Sequence, residues 1–145
     1  MTKEELSLSC KEDFDNLNGL TLKIQELASS GKGSYALEET AAIGAFLFSA
    51  YSGIERVLER ILLFEAFSLK GGEEKHAEIL KKALELGILP QELYSGLSRY
   101  LAFREFFCRS YVTQFNHEKV AALAQGFNAV LSSFEKELRE YIDTI

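Results

Sequence analysis

Ala41–Ala42–Ile43–Gly44–Ala45–Phe46–Leu47–Phe48–Ser49–Ala50–Tyr51 is apolar nearly all the way round when wound into a helix. A helix without a polar face has to be surrounded. The stretch therefore predicts the centre of a helical bundle, or a bundle joined to a second copy through this helix. Extended in both directions, it gives a helix from about Ala36 to Ser68. Its second half turns amphipathic, with Ile54, Val57, Leu58, Ile61 and Leu62 inward and Glu55, Arg56, Glu59 and Arg60 outward. Gly44 and Gly53 leave room for a close neighbour, and Gly71–Gly72 should terminate the helix. The uncharged run from Thr40 to Ile54 is 15 residues, short of the ~20 that span a bilayer. A buried helix is expected, and no membrane contact.

On the N-terminal side, Leu6, Cys10, Leu17, Leu20, Ile24 and Leu27 make an apolar stripe on a helix from Lys3 to about Ser29. A loop over 29–34, with Gly31 as the helix stop, follows. On the C-terminal side, a short helix from Glu73 to Leu86 should turn Ala77, Leu80, Ala83 and Leu84 inward, with Gly87 as its cap. Leu89–Pro90 opens a fourth helix that runs to about Thr113. Asn116 is placed to cap a fifth, which carries the stripe Val120, Leu123, Phe127, Val130, Leu131, Phe134, Leu138 and Tyr141 to about Asp143. The fold class is all-α: one domain over 1–145, an up-and-down bundle of four long helices and one short one.

Composition agrees. The 145 residues hold one proline and no tryptophan, and 47% are hydrophobic, which excludes a disordered chain. A net charge of −6, from 22 acids and 16 bases, excludes a general nucleic-acid binder, so any RNA contact is local. Cys10 and Cys108 are too few for a disulfide framework and read as reduced core thiols. The charged N-terminal residues do not resemble a signal peptide, and a cytoplasmic protein is expected.

The chemistry concentrates in Leu101–Ala102–Phe103–Arg104–Glu105–Phe106–Phe107–Cys108–Arg109–Ser110–Tyr111. At about 100° per residue, a continuous helix would put Arg104 and Tyr111 on one face, two turns apart. Polar groups in so aromatic a helix need partners, from a second chain, a ligand or solvent. Arg99, Arg104 and Arg109 recur every five residues. They are either scattered solubilising charges or a basic strip that a dimer axis would double. His76 and His117 lie among charged neighbours and read as solvated. His117 is the one placed to fold back as an accessory group. Glu73 and His76 form a single Glu-x-x-His with no second copy, so no metal centre and no cofactor are expected.

The order Ala102–Phe103–Arg104, four residues, Arg109, one residue, Tyr111 resembles the signature helix of the HEPN superfamily, in its HepT-like branch. There the motif is Arg-x4-His-x-Tyr. The helix order and the Leu89–Pro90–Gln91–Glu92 turn match as well, over roughly residues 5 to 142. The resemblance implies a homodimer whose motif helices share a cleft, a metal-independent ribonuclease toxin, and a partner nucleotidyltransferase antitoxin that adds AMP to the motif tyrosine. The arginine maps to Arg104 and the tyrosine to Tyr111, and Arg109 stands where the family has histidine. A guanidinium stays protonated and has no acceptor lone pair. Arg109 can hold phosphate but not take a proton, so RNA cleavage is expected to be weak or absent. A non-enzymatic binding subunit of a nucleotidyltransferase and a plain dimerising bundle remain the alternatives.

Overall fold

Helix α2 (Leu37–Phe64) runs through the middle of the molecule and packs against α1 (Lys3–Ala28), α3 (Glu74–Glu85), α4 (Gln91–Arg109) and α5 (His117–Thr144). A 3-10 turn, Val112–Gln114, joins the last two and also touches α2. The structure, a computed structural model, describes residues 1–29 and 36–145. Among them there is no strand, as an all-α bundle requires. Apart from Ser29, which caps α1, the loop expected over 29–34 with Gly31 as stop lies outside the described residues.

Local chemistry starts the helices. Thr2 and Glu5 form a capping box on α1, each side chain bonding the other's backbone N–H. Asn116 Oδ1 accepts from Lys119 N at 3.1 Å and opens α5 as expected. Pro90, extended at ψ 158°, precedes α4. The stripes of α1 and α5 are buried largely as read, with Phe14 and Thr21 added to the first, and Ala124 and Ile142 to the second.

Four boundaries and faces differ from expectation. First, α2 stops at Phe64, not Ser68, and the glycines at 71 and 72 are not its terminator. The N–H of Ala66 bonds Leu63 O at 3.0 Å and that of Phe67 bonds Leu62 O at 2.9 Å, with Ala66 at φ +67°. This is a Schellman end with alanine in the left-handed position. The same motif closes α3, where Gly87 at φ +77° holds that position as expected.

Second, α3 buries Ile79, Leu80 and Ala83, while Ala77 is exposed. The helix touches both α2 and α4, which turns its inner face toward His76. Third, α4 ends at Arg109, and Ser110 is extended. Leaving the helix lets Phe115 turn inward and pack against Phe103 and Phe107 over Gly44, where a Cβ would lie 3.1 Å from the Phe115 ring. Fourth, Cys108 is exposed rather than in the core, because it lies on the outer side of α4; Cys10 is buried. Gly53 does admit a neighbour, Leu17 of α1, as its spacing suggested.

Among the described residues α2 alone is long and apolar enough to cross a membrane by length and composition. More than half of that window is buried inside the bundle, 56%.

Replacing Ala66 by glycine removes the left-handed strain and is expected to stabilise the protein by about 0.5–1 kcal/mol in urea unfolding. Burial pushes the Cys10 thiol up to about 11, against the lowering charge of Arg60. At pH 8, iodoacetamide should therefore label Cys108 and spare Cys10 until the chain unfolds, as read by peptide mass. Because the folded thiol holds its proton more tightly than the unfolded one, Cys10 also makes the fold lose stability as pH rises from about 9 to about 11.

Candidate functional site

Five residues are about 500° of helix, so each of the three arginines points some 140° from the last. Arg99 faces α5, where it lines a groove of about 660 Å³ with Phe103, Phe106, Asn116, Lys119 and Leu123. Arg104 lies against α2, its guanidinium carbon 5.3 Å from the centroid of the Phe48 ring. Arg109 is exposed at the end of α4, with Nη2 3.8 Å from a carboxylate oxygen of Glu73. One protomer thus has no continuous basic strip. Nor do Arg104 and Tyr111 share a helical face, because α4 ends between them; Tyr111 is 80% exposed.

Beneath Arg104 runs a buried polar seam. Phe48, Tyr51 and Glu55 recur at three and four along one face of α2. Tyr51 is 1% exposed and Glu55 6%. Burial drives the Tyr51 phenol far above its ordinary pKa; the neighbouring Glu55 carboxylate adds to this, and Arg104 opposes it. Glu55 Oε1 lies 2.6 Å from His76 Nδ1 on α3. The carboxylate and the phenol are close enough to feel each other's charge, yet no hydrogen bond of good geometry joins them. The Tyr51 hydroxyl, Glu55 Oε2 and Arg104 Nε are all buried without a hydrogen-bond partner. Each such group costs about 1–3 kcal/mol.

A family model for "HepT-like protein" matches residues 42–145. The chain belongs to the HepT-like family. That places it in the HEPN superfamily, and the all-helical fold agrees. No curated protein and no solved structure matches the chain. The matched segment of this HepT-like chain holds the motif stretch, the seam and all of α3 to α5; α1 precedes it.

Two residues read as ordinary surface prove otherwise in the HepT-like fold. Glu55, expected outward, is buried because α3 lies across its side of α2. His76, expected to be solvated, is 25% exposed at its side chain and bound to that carboxylate. His117 has its Nδ1 2.6 Å from the hydroxyl of buried Thr40, one turn of α2 before Gly44, against which Phe103 and Phe107 of α4 pack. The three-and-four spacing of Phe48, Tyr51 and Glu55, and of His76, Ile79, Leu80 and Ala83, was the available signal for the seam. Among the described residues no group of three or more His, Cys, Asp and Glu could hold a metal.

Replacing His76 by alanine strands a buried carboxylate. The expected cost is about 1–3 kcal/mol in urea unfolding, and replacing Glu55 by glutamine along with it should recover part of the loss.

Proposed function

We propose that this HepT-like chain is the toxin-type member of a toxin–antitoxin pair: a cytoplasmic homodimer whose partner is a small nucleotidyltransferase that attaches AMP to Tyr111. The exposure of Tyr111 carries the reading. At the family's tyrosine position the side chain is 80% exposed, on a short segment that Gln114 steadies by accepting from the Tyr111 N–H at 2.8 Å. A phenol so placed reaches another enzyme's active site without unfolding. Its oxygen attacks the α-phosphorus of ATP, pyrophosphate leaves, and the phenolic proton passes to solvent or a base of the partner. Phe106, 43% exposed, and Val112 lie around the same end of α4 and leave apolar surface for a second copy. Arg104 and Arg109 offer phosphate contacts to RNA, and with Arg109 in the histidine position cleavage is weak or absent.

A second reading, a binding subunit without chemistry of its own, draws on the groove where Arg99 and Lys119 flank apolar Phe103, Phe106 and Leu123. Cations beside aromatic surface suit a nucleotide.

Co-expression with a nucleotidyltransferase encoded beside this gene separates the two. The expected outcome is relief of growth arrest and a Tyr111 peptide heavier by AMP, both lost in Tyr111→Phe. An unmodified peptide and unchanged growth, with nucleotide binding abolished by Arg99→Glu, would establish the second reading instead.

A further inference from the structure

We infer that the groove between α4 and α5 receives the adenylyl group once it is attached to Tyr111, so that the chain shelters its own modification. This role for the groove rests on the toxin reading and deepens it, by assigning where the added nucleotide goes and which residues hold it.

The groove opens beside the tyrosine. Gln114 is one of its lining residues, and two hydrogen bonds tie Gln114 to the backbone of Tyr111. Its Oε1 accepts from the Tyr111 N–H, and its own N–H donates to the Tyr111 carbonyl, both at 2.8 Å. The phenol is 80% exposed. A group attached to it therefore starts in solvent at the rim of the groove.

The packing of the two helices sets the order of residues along the groove. Tyr100 Oη donates to Leu123 O at 2.7 Å, and a Cβ on Gly96 would lie 3.8 Å from Val130. The helices are thus antiparallel, and later residues of α5 meet earlier residues of α4. Asn116 and Lys119 stand at the Tyr111 end, and Arg99 stands farther in, level with Leu123. Between the two cations the walls are small or apolar, with Ala102 and Ala122 exposed and Phe103 and Leu123 buried beneath.

An adenylyl group would meet these residues in a matching order. Its phosphodiester, next to the phenol, carries one negative charge. Lys119 and the first turn of α5 suit that charge. Its adenine comes last and is flat and apolar on its faces. Phe103 and Leu123 suit those faces, and the planar guanidinium of Arg99 can stack on the ring. Neither Arg99 nor Lys119 is in an ion pair among the described residues, although the chain holds 22 acids against 16 bases. Cations kept only for solubility give no reason for an apolar cleft between them. The volume, about 660 Å³, falls within the range of roughly 300–1,000 Å³ usual for small-molecule sites. Attachment also lowers the affinity required. A short tether gives an effective concentration on the order of millimolar, so contacts too weak to retain free AMP suffice. The consequence is a modification that outlasts departure of the nucleotidyltransferase, because a hydrolase reaches the phosphodiester only when the group swings out.

The test uses the full chain, modified by co-expression with the nucleotidyltransferase, as wild type, Arg99→Glu, Lys119→Glu and Lys136→Glu. Lys136 is exposed on α5 outside the groove and serves as the charge control. A phosphodiesterase is added, and loss of AMP is timed by the mass of the Tyr111 peptide. The same modified peptide, excised from the wild-type chain beforehand, is the unsheltered reference. The expected result is release about tenfold slower from wild type and Lys136→Glu than from the peptide. Arg99→Glu and Lys119→Glu should each lose most of that delay, with melting temperatures of the unmodified chains unchanged. Release from wild type at the peptide's rate, or a delay shared equally by all four chains, would overturn the inference and leave the toxin reading standing. A chain that emerges from co-expression unmodified removes both.

Discussion

Burial of the inner faces of α2 is the constraint on which the molecule depends. Ile43, Leu47, Ile54, Leu58 and Ile61 are essentially inaccessible, and each contributes about 1.5–3 kcal/mol on leaving water. No single neighbour can cover such a helix, so all the others gather round it, with Gly44 and Gly53 admitting aromatic rings and Leu17. The same covering buries two polar residues of α2. Thr40 and Glu55 are caught this way, and the only two histidines of the chain answer them: His117 for Thr40 and His76 for Glu55. Asp13 of α1 is likewise met by Arg60. Tyr51 has only the neighbouring Glu55 carboxylate of its own helix, without a hydrogen bond of good geometry.

This separates polar groups that serve folding from those that stability does not explain. His117 with Thr40 and Arg60 with Asp13 are complete pairs that fasten one helix to another. The seam of Tyr51, Glu55, His76 and Arg104 is incomplete, with three buried atoms lacking partners. Natural cores rarely leave such groups without a reason. The seam includes Arg104, whose Nε is one of the three. The aromatic cluster beside it has a different office: Phe103, Phe107 and Phe115 fill the space over Gly44 and hold α4 in register with α2.

Features set by near neighbours in the chain were legible. The caps at Asn116 and Gly87, the turn at Pro90, and the stripes of α1 and α5 depend on spacing and on side chains a turn apart. The family resemblance was legible too, since helix order and motif are written along the chain. The errors share one cause. Glu55, Ala77, His76 and Cys108 sit on helices whose covered face depends on two neighbours, not one. Tyr111 was placed on a helix that the chain abandons so that Phe115, four residues on, can reach the core. Of the two readings of the three arginines, one protomer shows the scattered one, since a five-residue repeat does not stay on one side of a 3.6-residue helix.

The amino-acid order alone determined that the chain is helical, roughly where each helix begins, and that its second helix lies at the centre. Those follow from backbone propensity and the period of apolar residues, which act over a few residues. Tertiary structure alone decided which charges are enclosed, that a histidine from α3 meets a glutamate from α2, and that Arg104 rests on Phe48. A helix apolar on all sides gives no direction from which its neighbours must come, so the chemistry of the seam exists only once they have packed.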